Sequence, residues 1–508
     1  MRRLTPSQLS RLLTGWSLDG DGHGDDAGGD GGSLPGRLAG ALRELAERGD
    51  VPAGTVLPSQ RALAAVLGVS RSTVTAAYGE LEAEGWLESR QGSGSRLRGT
   101  PLTRENGAEG RLASFDERHG DPTADAVDLS SGALPGIAAV DTAIDGLSAE
   151  ELGPLLRTDG YLPYGLPALR EALADAYAQA GTPTRPDQIL VTAGSQQAVW
   201  LLAQALVDPG DTVMTENPTY RGALEALRSR GARLVPLPDD GTGTPTGPGA
   251  VPGAGAVPGA GTGAAGGTDA GLLRHVRPRL VYLQPTAHNP TGRSLSPAGR
   301  RAWAALLTRL AEEQGLFTVE DTACAELTLD GDAAPVPLAS LLPGASTATV
   351  GTLSKLFWGG LRVGWIRAAP PLVRRLAGIK KSVDLSGPVL DQVLAVRLLA
   401  RMPAARAQRR GALRERLAHA EELLRAHAPG WEWERPSGGP ALWVRMPGAD
   451  AEATAHLARR RGVLAVPGPA FSPVDGFRDR LRLPYAHEPE LLERALPVLV
   501  ESVRHSGP

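Results

Sequence analysis

Seven short apolar runs lie between residues 188 and 368: QILVTA, TVMTE, ARLVPL, RLVYL, LFTVED, TATVGTLS and RVGWIRA. Longer stretches of helical character separate them, among them SQQAVWLLAQAL and GRRAWAALLTRLAEE. A strand buried on both faces reads as a short apolar run. Strands that alternate with helices form a mostly parallel sheet with helices on both faces. The block that holds these runs is therefore expected to be α/β.

At 508 residues the chain is long enough for more than one domain. Three stretches divide it. Residues 19–33 (DGDGHGDDAGGDGGS) are Gly/Asp-rich and read as a spacer within an N-terminal segment, 1–33. Residues 99–126 are polar, mixed in charge and aperiodic, as a linker is. Residues 239–270 carry GAVPGA twice in tandem, from Gly249 to Ala260. A segment so poor in bulky side chains buries little, and it is expected to be a disordered surface insertion. Two folded blocks remain, 34–98 and 127–508.

The net charge of −3 argues against a protein that coats nucleic acid generally, but it leaves room for local basic contacts. One cysteine, Cys324, excludes an internal disulfide framework and fits a reducing compartment. The start, MRRLTPSQLSRLL, lacks an apolar core of signal-peptide length, and no apolar run is long enough to span a membrane. A cytoplasmic protein is expected, with no membrane partner and no metal site.

In the first block Ser59 is placed to cap a short helix ending near Leu67, Gly68 to make a turn, and Ser70 to cap a second helix. Val74, Ala77, Tyr78 and Leu81 then share one buried stripe. WLESRQGSGSRL reads as two strands around a Gly/Ser turn, a wing. A helix-turn-helix reads DNA with the first turn of its second helix, where Arg71, Ser72 and Thr73 fall. Arg61 is placed to hold the DNA backbone, and Gly92 lets the wing approach the duplex. Many helix pairs with a Gly turn bind no DNA, and residues 34–98 carry eight Arg against seven acids. Placement, not total charge, has to supply the contacts.

Lysine is nearly absent from the chain. Of 53 Lys plus Arg, only Lys355, Lys380 and Lys381 are lysine. A guanidinium is never deprotonated, whereas a lysine amine can form a Schiff base. Lys355 follows the strand-like TVGTLS, so it is a candidate anchor for an aldehyde such as pyridoxal phosphate. That cofactor also needs an acid for its pyridine nitrogen, phosphate donors and a ring to stack on. Asp321 ends LFTVED, and Tyr220 lies in ENPTY. Asn289 lies in HNPTG, while Thr352, Ser354 and Arg362 surround the lysine in sequence. Ser195 and Gln196 follow Gly194 at a predicted helix N-terminus, which binds anions. Singly, each has an ordinary explanation: a turn residue, a packed aromatic, a surface charge.

Two resemblances join these residues. LPSQRALAAVLGVSRSTVTAAYGELEAEGWLESRQGSG resembles the winged helix of GntR-type bacterial regulators. The resemblance implies DNA contacts at Arg61, Arg71, Ser72, Thr73 and Gly92. From about Tyr161 the chain is similar to fold-type-I aminotransferases, in YLPYG, VTAGSQQA, ENPTY, HNPTG, VED and GTLSK followed by GLR. This resemblance implies a small C-terminal subdomain and a Schiff base at Lys355. It also implies Asp321 on the pyridine nitrogen, Asn289 on the ring oxygen and Tyr220 stacked on the ring. Ser195, Gln196, Thr352 and Arg362 would hold the phosphate, and Arg482 a carboxylate. Tyr161, one residue off the family's spacing, would reach the phosphate of a partner subunit. One departure stands out: the family's tyrosine two or three residues after the strand-end aspartate is replaced by Ala323 and Cys324.

A GntR-like head on an aminotransferase-like body is the architecture of MocR-type regulators. It implies a homodimer that binds double-stranded operator DNA and senses an amine, an amino acid or the cofactor itself. An active aminotransferase with a regulatory head is the rival reading.

Overall fold

The computed structural model describes residues 4–13, 34–47, 51, 55–83, 86–90, 94–97, 126–237, 269–331 and 336–506. Contacts divide the chain into two units, Met1–Glu117 and Arg118–Pro508. Gly92, the 19–33 spacer, the linker as far as residue 125 and the insertion as far as residue 268 lie outside the described residues.

The first unit begins earlier than residue 34. A helix over Pro6–Leu12 places Leu9 in the same apolar cluster as Leu38, Leu63, Val74 and Leu81. Helices over Leu34–Glu47, Gln60–Leu67 and Arg71–Ala83 follow. Ser59 caps the third by accepting from Ala62 N–H at 3.3 Å, and Gly68 closes it in the left-handed region at φ 69°. The stripe of Val74, Ala77, Tyr78 and Leu81 is buried throughout. The Tyr78 hydroxyl donates to the Pro58 carbonyl, which gives its buried polar tip a partner. β1 (Leu87–Arg90) and β2 (Gly94–Leu97) pair antiparallel as the wing, with Leu87 opposite Leu97.

The second unit opens with β3 (Val127–Asp128). Among the described residues its main sheet has seven strands: β4 (Ile189–Thr192), β5 (Thr212–Thr215), β6 (Arg233–Pro236), β7 (Leu280–Leu283), β8 (Phe317–Asp321), β9 (Thr347–Thr352) and β10 (Gly364–Arg367). Each falls within one of the seven apolar runs. The order is β4-β10-β9-β8-β7-β5-β6, and only β10 runs antiparallel to its neighbours. β4, β5, β7 and β9 are buried along their full length, as strands covered on both faces must be. The helix Asp269–Val276 begins inside the stretch read as insertion.

The C-terminal part builds a separate antiparallel sheet. It contains β11 (Glu432–Trp433), β12 (Ala441–Arg445), β14 (Val466–Pro467) and β15 (Arg480–Pro484), ordered β11-β12-β15-β14. β13 (Val463–Leu464) pairs instead with β3, in parallel. The helices Met402–His427 and Pro489–His505 contribute Leu417, Leu424, Leu496 and Leu499 to the core beneath this sheet. Among the described residues no helix is long and apolar enough to cross a membrane.

Candidate functional site

In the head, the recognition turn is held by one side chain. Ser70 Oγ accepts from Thr73 N–H at 3.0 Å and lies 2.7 Å from both the Ser72 and Thr73 hydroxyls. Arg61 and Arg71 are exposed, as is Ser72, while Thr73 is half-buried. Thr75 Oγ1 donates to Gln60 Oε1 at 3.0 Å and so ties the second helix to the first.

In the body, the sheet order gathers residues that are distant in sequence. Because β10 lies between β4 and β9, Thr192, Gly364 and Thr352 stand side by side at one sheet end. The turn after β4 and the lysine turn after β9 therefore flank a single strand. Gly194 adopts φ 100°, which a side chain rarely allows, and the helix Ser195–Leu206 starts directly after it. Arg362 Nη2 donates to the Ala193 carbonyl at 2.6 Å, and a Cβ at Gly194 would lie 2.9 Å from the same nitrogen. The Thr352 hydroxyl donates to the Val363 carbonyl and accepts from Ser354 N–H. A helix N-terminus, two hydroxyl residues and a guanidinium thus meet. Tyr220 donates to Gln196 Oε1 at 2.9 Å, which tethers its phenol to that helix.

Lys355 lies just beyond β9, one strand from Asp321 at the end of β8. Burial pushes the Lys355 ammonium below its ordinary value; Arg482 and Arg221 add to this, against Cys324 and Asp321. Its Nζ donates to the Gly132 carbonyl at 2.8 Å. Asp321 is 4% exposed, and burial pushes its carboxyl up against the opposing bonds from Tyr282 and Ala323 N–H. Arg482, on β15, is also 4% exposed. It donates to the Ser130 carbonyl, lies 5.2 Å from the Phe471 ring centre, and is pushed down to about 9, chiefly by burial. Arg221 is buried as well and donates to the same carbonyl at 3.3 Å. A Cβ at Gly132 would lie 3.6 Å from Arg482 Nη1 and 3.8 Å from Lys355 Nζ, so the two cations converge.

Asn289 follows β7, and its backbone N–H donates to Gln284 Oε1. Tyr161 does not join these groups within the chain; it is 60% exposed on the turn before the helix Pro167–Gln179.

A family profile described as "Bacterial regulatory proteins, gntR family" matches residues 35–97, and one for "Aminotransferase class I and II" matches 124–499. The chain is 30% identical over 502 residues to the HTH-type transcriptional regulator TauR of Rhodobacter capsulatus, covering 89% of this chain and 93% of that one. It is 30% identical over 357 residues to the probable rhizopine catabolism regulatory protein MocR of Rhizobium meliloti, covering 67% and 65%. The chain is a MocR-type member of the GntR regulator family. It joins a DNA-binding head to an aminotransferase-like body. The body resembles LysN, an alpha-aminoadipate aminotransferase of Thermus thermophilus solved with N-(5'-phosphopyridoxyl)-L-leucine. That likeness has a TM-score of 0.62 at 28% identity, over 80% of this chain and 98% of that one.

The residues of this MocR-type regulator fit pyridoxal phosphate. A buried amine held below its usual basicity suits an aldehyde, and a buried carboxylate one strand away suits a pyridine nitrogen. Among the described residues, Arg482 Nε is buried without a hydrogen-bond partner, so an acidic ligand would find an unused donor.

Several site residues escaped the sequence reading. Ser130 and Gly132 act through backbone carbonyls and leave no side-chain signature. Arg409, on the helix Met402–His427, donates to the carbonyls of Pro135, Leu356 and Phe357 and so fixes the turn beyond Lys355. It sits in an arginine-rich helix with nothing to single it out. Tyr282 did carry a signal: a phenol inside the apolar run RLVYL must find a buried partner.

Proposed function

We propose that the body binds pyridoxal phosphate through Lys355 and senses an amino acid or related amine there, and that occupancy alters DNA binding by the head. When bound, the cofactor supplies an aldehyde that condenses reversibly with amines. Lys355 would hold that aldehyde and Asp321 the pyridine nitrogen. Asn289 would contact the ring oxygen and Tyr220 the ring face. Ser195, Gln196, Thr352 and Arg362 would hold the phosphate, with Tyr161 of the partner subunit closing it in a homodimer. Arg61, Arg71, Ser72, Thr73 and Gly92 would contact operator DNA in the cytoplasm. On this reading residues 34–98 form the DNA-binding unit and 127–508 the sensing body, interrupted by the 239–270 insertion.

The observation that carries the reading is the convergence of Lys355 Nζ and Arg482 Nη1 on Gly132. A cofactor aldehyde held at Lys355 and a carboxylate receptor at Arg482, so placed, would suit the two ends of one α-amino acid. The coupling to DNA is a population shift, because an effector that prefers one body conformation biases the heads attached to it. The test is a spectral titration of the cofactor-loaded protein with candidate amines and amino acids, run beside a gel shift. A spectral response that leaves DNA binding unchanged for every ligand would sink the sensor reading.

Transamination is the second reading, because Asn289, Asp321, Lys355 and Arg482 are all present. Ala323 and Cys324 stand where the family has its tyrosine, which weighs against fast turnover. Rapid, steady conversion of an amino acid and keto acid pair would favour the enzyme over the sensor.

A further inference from the structure

Asp321 is gripped from two sides. Ala323 N–H donates to Oδ1 at 2.8 Å, and the Tyr282 phenol donates to Oδ2 at 2.5 Å. Tyr282 is buried on β7, the strand beside β8. Its oxygen accepts from Gln284 Nε2 at 3.3 Å, and Gln284 Oε1 accepts from Asn289 N–H at 3.1 Å. Gln284 is itself fixed, because its backbone N–H donates to Glu216 Oε2 at 2.7 Å. An unbroken chain of hydrogen bonds therefore runs from Asn289 through Gln284 and Tyr282 to Asp321.

A buried carboxylate tends to take up a proton unless donors favour its charged form. A phenol enclosed in a strand donates to whatever acceptor it reaches. Each need is met by the other. The phenol absent at positions 323 and 324 would have faced the ring oxygen; the phenol present at 282 serves the carboxylate instead. We propose that Tyr282 is a positioning residue that keeps Asp321 charged and aimed as acceptor for the pyridine nitrogen. Gln284 links that carboxylate to Asn289, so both ends of the cofactor ring are set by one hydrogen-bonded unit. The inference rests on the pyridoxal phosphate reading above.

The test is Tyr282→Phe in the full chain, loaded with pyridoxal phosphate and scanned for absorbance against pH. Lys355, Cys324 and Tyr220 also act electrostatically on Asp321, and the substitution leaves all three in place. Without the phenol the carboxylate holds its own proton more strongly and leaves less positive charge on the ring. The midpoint of the visible band then moves upward by about one pH unit, and the affinity for pyridoxal phosphate falls about tenfold. Gln284→Leu keeps the phenol on the carboxylate but cuts the link to Asn289, and a smaller shift in the same direction is expected. A Tyr282→Phe protein with an unchanged midpoint overturns the assignment. If that variant does not fold, an unchanged midpoint in Gln284→Leu overturns it equally. A wild-type protein that takes up no pyridoxal phosphate overturns the cofactor reading, and this inference with it.

Discussion

Lys355 Nζ donates to the backbone carbonyl of Gly132 at 2.8 Å, although 223 residues separate them. The segment after β3 is thereby brought to the lysine turn after β9. A carbonyl is a weak competitor for an amine, so the bond orients the lysine without neutralising it. Ser130, two residues earlier, receives Arg482 through its own carbonyl. One short backbone segment thus holds Lys355, Arg482 and, through the same Ser130 carbonyl, Arg221.

Lys355→Ala should abolish the near-visible absorption that pyridoxal phosphate acquires on the protein. Among the described residues the head's apolar cluster draws only on residues 4–97, so specific DNA binding by the unliganded variant should survive. Absorbance spectroscopy after dialysis, beside a gel shift, checks both. A band that persists would place the anchoring amine elsewhere.

Gly194→Ala tests the anion cradle. The new Cβ would sit at φ 100° and 2.9 Å from Arg362 Nη2, so it strains the backbone and displaces the guanidinium. A cost of about 1–3 kcal/mol in stability is expected, with about a tenfold loss of cofactor affinity. Gly181→Ala is the control, since its φ is 82° but nothing lies within 4 Å of its Cβ. It should lose stability alone. Equal losses of cofactor affinity in both variants would dismiss the cradle.

Arg71→Ala should weaken binding to a specific operator by about 1–3 kcal/mol, the worth of a good base contact. Its effect on non-specific DNA should be smaller, and competition gel shifts measure the difference. Equal losses on both DNAs would make Arg71 a phosphate contact.

Much of this was legible in the sequence, for a physical reason. QILVTA and TATVGTLS are read as strands because both faces are buried, which forces a continuous apolar run. Asp321 ends such a run and Lys355 directly follows one, so their place at strand ends is legible too. Which strands are neighbours was not, and the antiparallel insertion of β10 between β4 and β9 is what brings Arg362 to Gly194. The same holds for Leu9, whose burial depends on an apolar cluster it shares with Leu38 and Leu63 across a segment of spacer composition. Arg409 works through three backbone carbonyls, and a carbonyl is the same for every residue type.

His288, in HNPTG, offers a pH test of the site's packing. Burial, aided by Arg293, pushes it from 6.5 down to about 3, so it stays neutral in the folded protein, and its 3.5 Å contact with Glu216 is not an ion pair near neutrality. Unfolding restores the ordinary value. Between pH 6.5 and about 3 the unfolded chain then binds a proton that the folded chain does not. Stability therefore rises with pH across that window and is lost as pH falls below 6.5. The slope from this one group is at most about 1.4 kcal/mol per pH unit. His288→Gln should flatten the profile over that range. Loss of the 2.8 Å contact between His288 Nδ1 and the Thr291 hydroxyl adds an offset that does not vary with pH, so it cannot imitate the change in slope. Urea unfolding of both proteins at stepped pH distinguishes the two effects. Parallel curves below pH 6.5 would mean that His288 accepts a proton in the folded state.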